Sequence, residues 1–144
     1  MYEDKFKQII DDIYQLIDAA NPDPTYVSCH LEVEGIDFTL AHSTDDDDKI
    51  ISFCDYGTPP MERRAEILTR LLEANMLSYD SRSPHFAINP ETGSVIFIMQ
   101  IPLENLTAQG VIDILTVQAM GAGTWGVTYF LEDIEQELAA AEME

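Results

Sequence analysis

Basic residues are scarce in this chain. Lysine and arginine together number seven, against 27 aspartates and glutamates, and the formal net charge is −20. The last of the seven is Arg82, so the sequence from residue 83 onward carries acids only. A surface of that sign repels nucleic-acid phosphates and anionic lipid, and so few bases assemble no basic patch. Nucleic acid is therefore a disfavoured partner. The charge fits a protein kept soluble, or one whose partner is basic or aggregates when left alone.

Cysteine is nearly absent too. Cys29 and Cys54 lie in apolar runs, with no C-x-x-C and no Cys/His ligand spacing. A zinc site is not expected, and two buried, reduced thiols are. No apolar run approaches the roughly 20 residues that span a bilayer. The first residues, Met1 to Lys7, are charged and lead into an amphipathic stretch without the continuous apolar core of a signal peptide. The expected compartment is the cytoplasm, with no membrane insertion. The sequon Asn105-Leu106-Thr107 has no meaning there. With 144 residues, 46% hydrophobic and 24% charged, the chain reads as a single globular domain over 1–144, without repeat or linker.

Hydrophobic spacing supplies the elements. Phe6, Ile9, Ile10, Ile13, Leu16, Ile17 and Ala20 recur at three- and four-residue steps, predicting a helix over about 3–20 that stops at Asn21-Pro22-Asp23-Pro24. The period then becomes two, and strands are expected near 25–34, 36–42 and 49–55, with a tight turn at Gly35. Gly57-Thr58-Pro59-Pro60 opens a second helix, with Thr58 as its cap and Pro59 in its first turn. That helix has two apolar stripes, one of Met61, Ala65, Leu68 and Leu72, the other of Ile67, Leu71 and Ala74. One stripe docks on a sheet, and the other widens the core face or meets a second subunit. A hairpin is expected around 89–93, joining 84–89 to 94–101. Its second strand, Val95-Ile96-Phe97-Ile98-Met99, is apolar on both faces and should be covered on both, by helices or by a partner. From Thr107 the pattern is helical again and continues through Tyr129, Phe130, Ile134 and Leu138, with a kink or break expected at Gly121, Gly123 and Gly126. The order α-β-β-β-α-β-β-α is α+β with a mainly antiparallel sheet.

Candidate chemistry is thin. Gly121-Ala122-Gly123-Thr124-Trp125-Gly126 spells a dinucleotide fingerprint, but that unit needs a second parallel strand ending in an acid, and residues 127–144 read as one helix. Close packing or a kink explains these glycines better. Asp45 to Asp48 are contiguous where an EF-hand alternates its ligands, and Ile50 and Tyr56 hold that motif's sixth and twelfth positions, so a solvated turn is expected. Cys29 and His30 are strand neighbours on opposite faces and cannot form a nucleophile–base pair. His30, Glu32 and Glu34 share one face; they read as a solvated strand face before a metal site or a small enzyme built on it. No sequence motif links His42 or His85 to a catalytic or ligating group, and no P-loop, H-E-x-x-H or G-x-S-x-G occurs. No catalytic, cofactor or metal residue is assigned.

The run Ala65-Glu66-Ile67-Leu68-Thr69-Arg70-Leu71-Leu72-Glu73-Ala74-Asn75-Met76-Leu77, and the hairpin from Pro84 through Gly93 to Leu103, resemble the Tir-chaperone (CesT-type) family, the class I chaperones of type III secretion. The Ala-Asn-hydrophobic ending and the glycine-containing hairpin carry the likeness; element order, length and low pI agree along nearly the whole chain. Two departures stand out, the glycines in the last helix and the dense acidic loop. The resemblance implies a cofactor-free homodimer that keeps the N-terminal segment of a secreted effector extended and secretion-competent. The second helix and neighbouring strand would meet their mates across a twofold, through Ile67, Leu71, Ala74 and Phe97, though each fits a monomer core equally well. Guest contacts would fall on Phe6, Ile10, Ile36 and Phe38 in grooves beside the first helix and first strands, residues whose alternative is burial against their own sheet. A different class stays open from the charge alone: an acidic regulatory or immunity-type protein that sequesters a basic partner.

Overall fold

The computed structural model describes residues 2–43, 48–77 and 84–131. The predicted acids Asp45, Asp46 and Asp47, and the predicted continuation through Ile134 and Leu138, lie outside the described residues.

Helix α1 (Tyr2–Leu16) buries Phe6, Ile9, Ile10, Ile13 and Tyr14 along one face. It stops short of residue 20 because Asp18 turns to a left-handed φ of 55°. The following segment is held by side chains: Asn21 Oδ1 accepts from the Asp23 amide and Asp23 Oδ1 from the Thr25 amide, both at 2.9 Å. Asp23 Oδ1 also accepts from the Thr25 hydroxyl, and the Thr25 hydroxyl and amide together hold the Asp23 carboxyl below the usual carboxylate range. Tyr26 also has positive φ, and its hydroxyl donates to Asp11 of α1 at 2.7 Å. The chain is thus tied back to the helix before it can extend, and β1 (Cys29–Val33) begins later than its alternation suggests.

Glu34 and Gly35, both at positive φ, link β1 to β2 (Ile36–His42) in a two-residue turn. Strand β3 (Lys49–Gly57) follows, then a 3₁₀ turn at Met61–Arg63 and helix α2 (Arg64–Leu77). Thr58 does not cap this helix. A proline disfavours helical backbone in the residue before it, so Pro60 keeps Pro59 out of a first turn, and the boundary falls at Pro60 without a side-chain cap. Strands β4 (His85–Ile88) and β5 (Val95–Pro102) form the expected hairpin. Helix α3 (Ala108–Thr128) is capped by Thr107, whose hydroxyl accepts from the Gly110 amide at 3.0 Å.

The glycines do not interrupt α3, which runs unbroken to a left-handed Tyr129. A Cβ on Gly121 would lie 3.1 Å from the Tyr56 hydroxyl of β3, whereas Gly123 and Gly126 face open space. Gly121 therefore permits close helix–sheet packing. The helix tolerates the other two because Val111, Leu115, Ala119, Ala122 and Trp125 anchor it along its length.

The five strands form one antiparallel sheet in the order β1-β2-β3-β5-β4. Register places Leu31, Phe38, Cys54 and Phe97 in line across four strands on one face. That face receives α1 and α3 over β1, β2 and β3, closing the main core. Helix α2 packs at the other end, where Ile67 and Leu71 meet Val95, Trp125 and Leu131. On the opposite face, Ala41, Ile51, Phe53, Ile96 and Ile98 are half-buried, and no described helix lies over them. Of the two covers expected for β5, the described helices of this chain supply one, on a single face.

Candidate binding surfaces

The two stripes of α2 have separate fates. Ile67 (0% exposed) and Leu71 (3%) point inward, closed over by Val95 and Trp125 of the same subunit. Leu72 (68%) and Met76 (74%) point outward, with Leu77 beside them. A groove of about 290 Å³ runs between this outer side and the edge strand, lined by Leu68, Leu71, Leu72, Asn75, Phe86, Ala87 and Ile88. Of the residues expected at a dimer contact, Ile67 and Leu71 belong mainly to the subunit's own core, while Ala74 and Phe97 are half-buried. The outer stripe was visible as a period; its direction was not, because Val95 and Trp125 are distant in sequence.

Asn75 builds one wall of the groove. Its Nδ2 donates to the Phe86 carbonyl at 3.0 Å, and its Oδ1 accepts from the Phe86 amide at 2.8 Å. The side-chain amide thereby mimics a neighbouring strand and occupies the outward backbone groups of β4 at Phe86. Among the described residues the other sheet edge, β1, pairs only with β2.

A second apolar groove, about 420 Å³, lies between α3 and the sheet, lined by Tyr56, Phe97, Met99, Ile114, Val117, Gln118 and Gly121. Val117 and Met120 are exposed on α3 beside it. Gln118 is buried at its base; its Nε2 donates to Ser52 Oγ and Met99 Sδ, while its Oε1 has no partner. Phe97 stacks with Tyr56 at a centroid distance of 5.8 Å and lies 4.9 Å from Phe86, so this aromatic cluster joins the two grooves. Leu72 was legible only as a member of a stripe and Asn75 only as part of the Ala-Asn ending; Met76, Phe86, Val117 and Gln118 were not assigned to a site from sequence.

The expected guest contacts sit deeper than anticipated. Phe6, Ile10 and Phe38 are buried in the main core, and Ile36 is half-buried. Phe6 stacks on His42, with centroids 5.0 Å apart. The helix face of β1 and β2 is thus filled by α1 and α3 of the same chain, the alternative that an amphipathic helix always offers.

Little here favours chemistry. Cys29 is buried and His30 exposed, on opposite faces of β1. Burial pushes the Cys54 thiol up to about 12, raises Cys29 from its ordinary value, and raises the Tyr14 and Tyr56 hydroxyls. Neutral thiols are poor nucleophiles. The His30 ring nitrogens lie 3.2 Å from Ser28 Oγ and 3.0 Å from Thr39 Oγ1, and Glu34 belongs to the turn rather than to the strand face. No three His, Cys, Asp or Glu side chains among the described residues are grouped to hold a metal ion. The residues spelling G-x-G-x-x-G lie inside α3, where backbone amides are committed to the helix instead of cradling a phosphate.

Among known families, the profile of the Tir chaperone protein (CesT) family matches residues 22–125. The chain belongs to the Tir chaperone (CesT) family. Its members are chaperones rather than enzymes. Solved structures share this member's fold. A chain in the structure of the Yersinia pestis type III secretion chaperone SycH with a fragment of YscM2 aligns at a TM-score of 0.59 and 12% identity, over 83% of this chain and 98% of that one. A chain of the ExsC–ExsE complex gives 0.64 and 17%, over 82% and 88%. A chain of the Pseudomonas aeruginosa ExoT–SpcS complex gives 0.52 and 20%, over 81% and 94%. Comparison with curated protein sequences gives no match. No helix among the described residues is long and apolar enough to cross a membrane.

Proposed function

We propose that this family member is a cytoplasmic type III secretion chaperone, a homodimer that holds the N-terminal segment of an effector extended and non-globular, without cofactor or chemistry. The observation carrying this reading is the surplus of apolar surface around α2 and β4, where Leu72, Met76 and Ile88 border an open apolar groove. Contiguous exposed apolar surface of this kind marks protein contacts.

Self-pairing would cover the α2/β4 surface, with Leu72 and Met76 joining Ala74 and Phe97 beside the largely internal Ile67 and Leu71. Among the described residues, the sheet edge left for a guest strand to extend is β1, because Asn75 occupies β4 at Phe86. Apolar guest side chains would enter the groove beside α3. Phe6, Ile10 and Phe38 act behind the surface, by fixing α1 and β2 in place, and Ile36 reaches it. Ordering an extended segment costs conformational entropy, so several apolar subsites are needed together. The type III secretion chaperone SycH is seen with a fragment of YscM2, and the other structures named above are likewise complexes, which supports the same arrangement for this chain.

The test is co-expression with the proteins encoded beside this chain. The expected result is a co-eluting protein whose N-terminal segment alone suffices for binding and whose complex survives high salt. A complex that forms only with a folded basic protein and dissolves in salt would overturn the reading.

A further inference from the structure

The open face of the sheet carries an arrangement that neither dimerisation nor apolar grip explains. Glu32 pairs with Asp37 across β1 and β2. Asp37 is one residue beyond the Phe38–Cys54 pair, which brings it into line with Asp55 on β3. All three lie between inward-facing neighbours, so their side chains share the outer face. Three carboxylates therefore stand in a row on adjacent strands, about 4.8 Å apart from strand to strand. Like charges in such positions oppose each other. None of the three makes an ion pair among the described residues.

Beside this row is a depression of about 290 Å³ lined by Asp37, Thr39, Phe53, Asp55, Asn89 and Ile96. Its lining combines an aromatic ring and an aliphatic side chain with two carboxylates and the polar Thr39 and Asn89. Asp55 has one oxygen committed to the Gly57 amide at 2.9 Å, leaving the other for a ligand. The same carboxylates are not grouped to hold a metal ion. A cation on an apolar stem complements both the charged and the apolar part of this lining. An arginine fits both halves: its methylenes cover Ile96, its guanidinium lies against Phe53, and its fork spans two carboxylates on neighbouring strands.

We propose that Asp37 and Asp55, together with Phe53 and Ile96, form a recognition site for an arginine in an extended segment of the guest. This rests on the proposed function for the source of the arginine. It adds a charge-based selection step on the face of the sheet away from the helices.

The probe is the blocked tripeptide isoleucyl-arginyl-isoleucine, titrated into the full chain and followed by amide chemical shifts. The expected result is saturable shifts centred on Asp37, Thr39, Phe53, Asp55 and Ile96. They should weaken at least tenfold when citrulline replaces arginine, and likewise in the Asp37→Asn/Asp55→Asn variant. That variant keeps the acceptor for the Gly57 amide, and its urea midpoint should not fall, since only repulsion is removed. No saturable shift at millimolar peptide, equal binding of the citrulline peptide, or shifts that follow protein concentration instead of peptide would each overturn the site. Because the tripeptide needs no effector, these results leave the chaperone reading untouched, and failure to find an effector leaves the site testable.

Discussion

Replacing Asn75 by leucine removes the two hydrogen bonds that tie α2 to β4, at 3.0 and 2.8 Å, and leaves the Phe86 amide and carbonyl without partners at a part-buried edge. Each bond contributes about 1 kcal/mol net, and a stranded buried group costs about 1–3 kcal/mol, partly relieved here by water reaching the edge. A loss of about 2 kcal/mol follows. With a urea dependence of about 1–3 kcal/mol per molar for a domain of this size, the midpoint falls by about 1 M. Asn75→Asp keeps the acceptor for the Phe86 amide but sets a carboxylate against the Phe86 carbonyl, so it should destabilise as well. Midpoints should be compared at one protein concentration, because an associating protein's stability depends on it. Hydrogen exchange supplies the local readout: the Phe86 amide should exchange faster in Asn75→Leu, and amides in the β1–β2 hairpin should not. An unchanged midpoint with unchanged Phe86 exchange would refute the role given to Asn75.

The glycines of α3 divide in a testable way. Gly123→Ala has open space and ordinary helical backbone, so it should stabilise by about 0.5–1 kcal/mol in a urea melt, whereas Gly121→Ala should gain less or lose, because Tyr56 must move. Alkali should destabilise the fold. Cys54 is raised from 9.0 to about 12, so above pH 9 the unfolded state sheds protons that the folded state retains. The urea midpoint should hold below pH 9 and decline towards pH 12, less steeply in Cys54→Ala; a flat profile would contradict the burial of this thiol. Leu72→Glu with Met76→Glu changes two exposed side chains, so it should leave the monomer's fold intact by circular dichroism while abolishing self-association by light scattering.

What the sequence shows well here is period. The α1 face from Phe6 to Ile13 and the alternation of β1 and β2 are set by near neighbours and were readable, as was the tight turn at Gly35. What it shows poorly is which neighbour wins. The Ile67 stripe turns inward only because Val95 and Trp125 wait for it, and Phe6 and Phe38 are closed off only because α1 lies on β2. Local propensity misled at α3, where three glycines argued for a break and packing along the helix overrode them. It misled again at Thr58, where the Pro59-Pro60 pair decided the boundary. Asn75 was noticeable as part of a signature, but its partner Phe86 is eleven residues away, and nothing in the spacing names it.

The central claim is that the outer side of α2 and the edge strand beside it are covered by a second copy of the chain. Light scattering on the purified protein at micromolar concentration measures this most directly. The account predicts a mass twice that of the 16.2 kDa chain. A mass of one chain, constant over the concentration range, would contradict it.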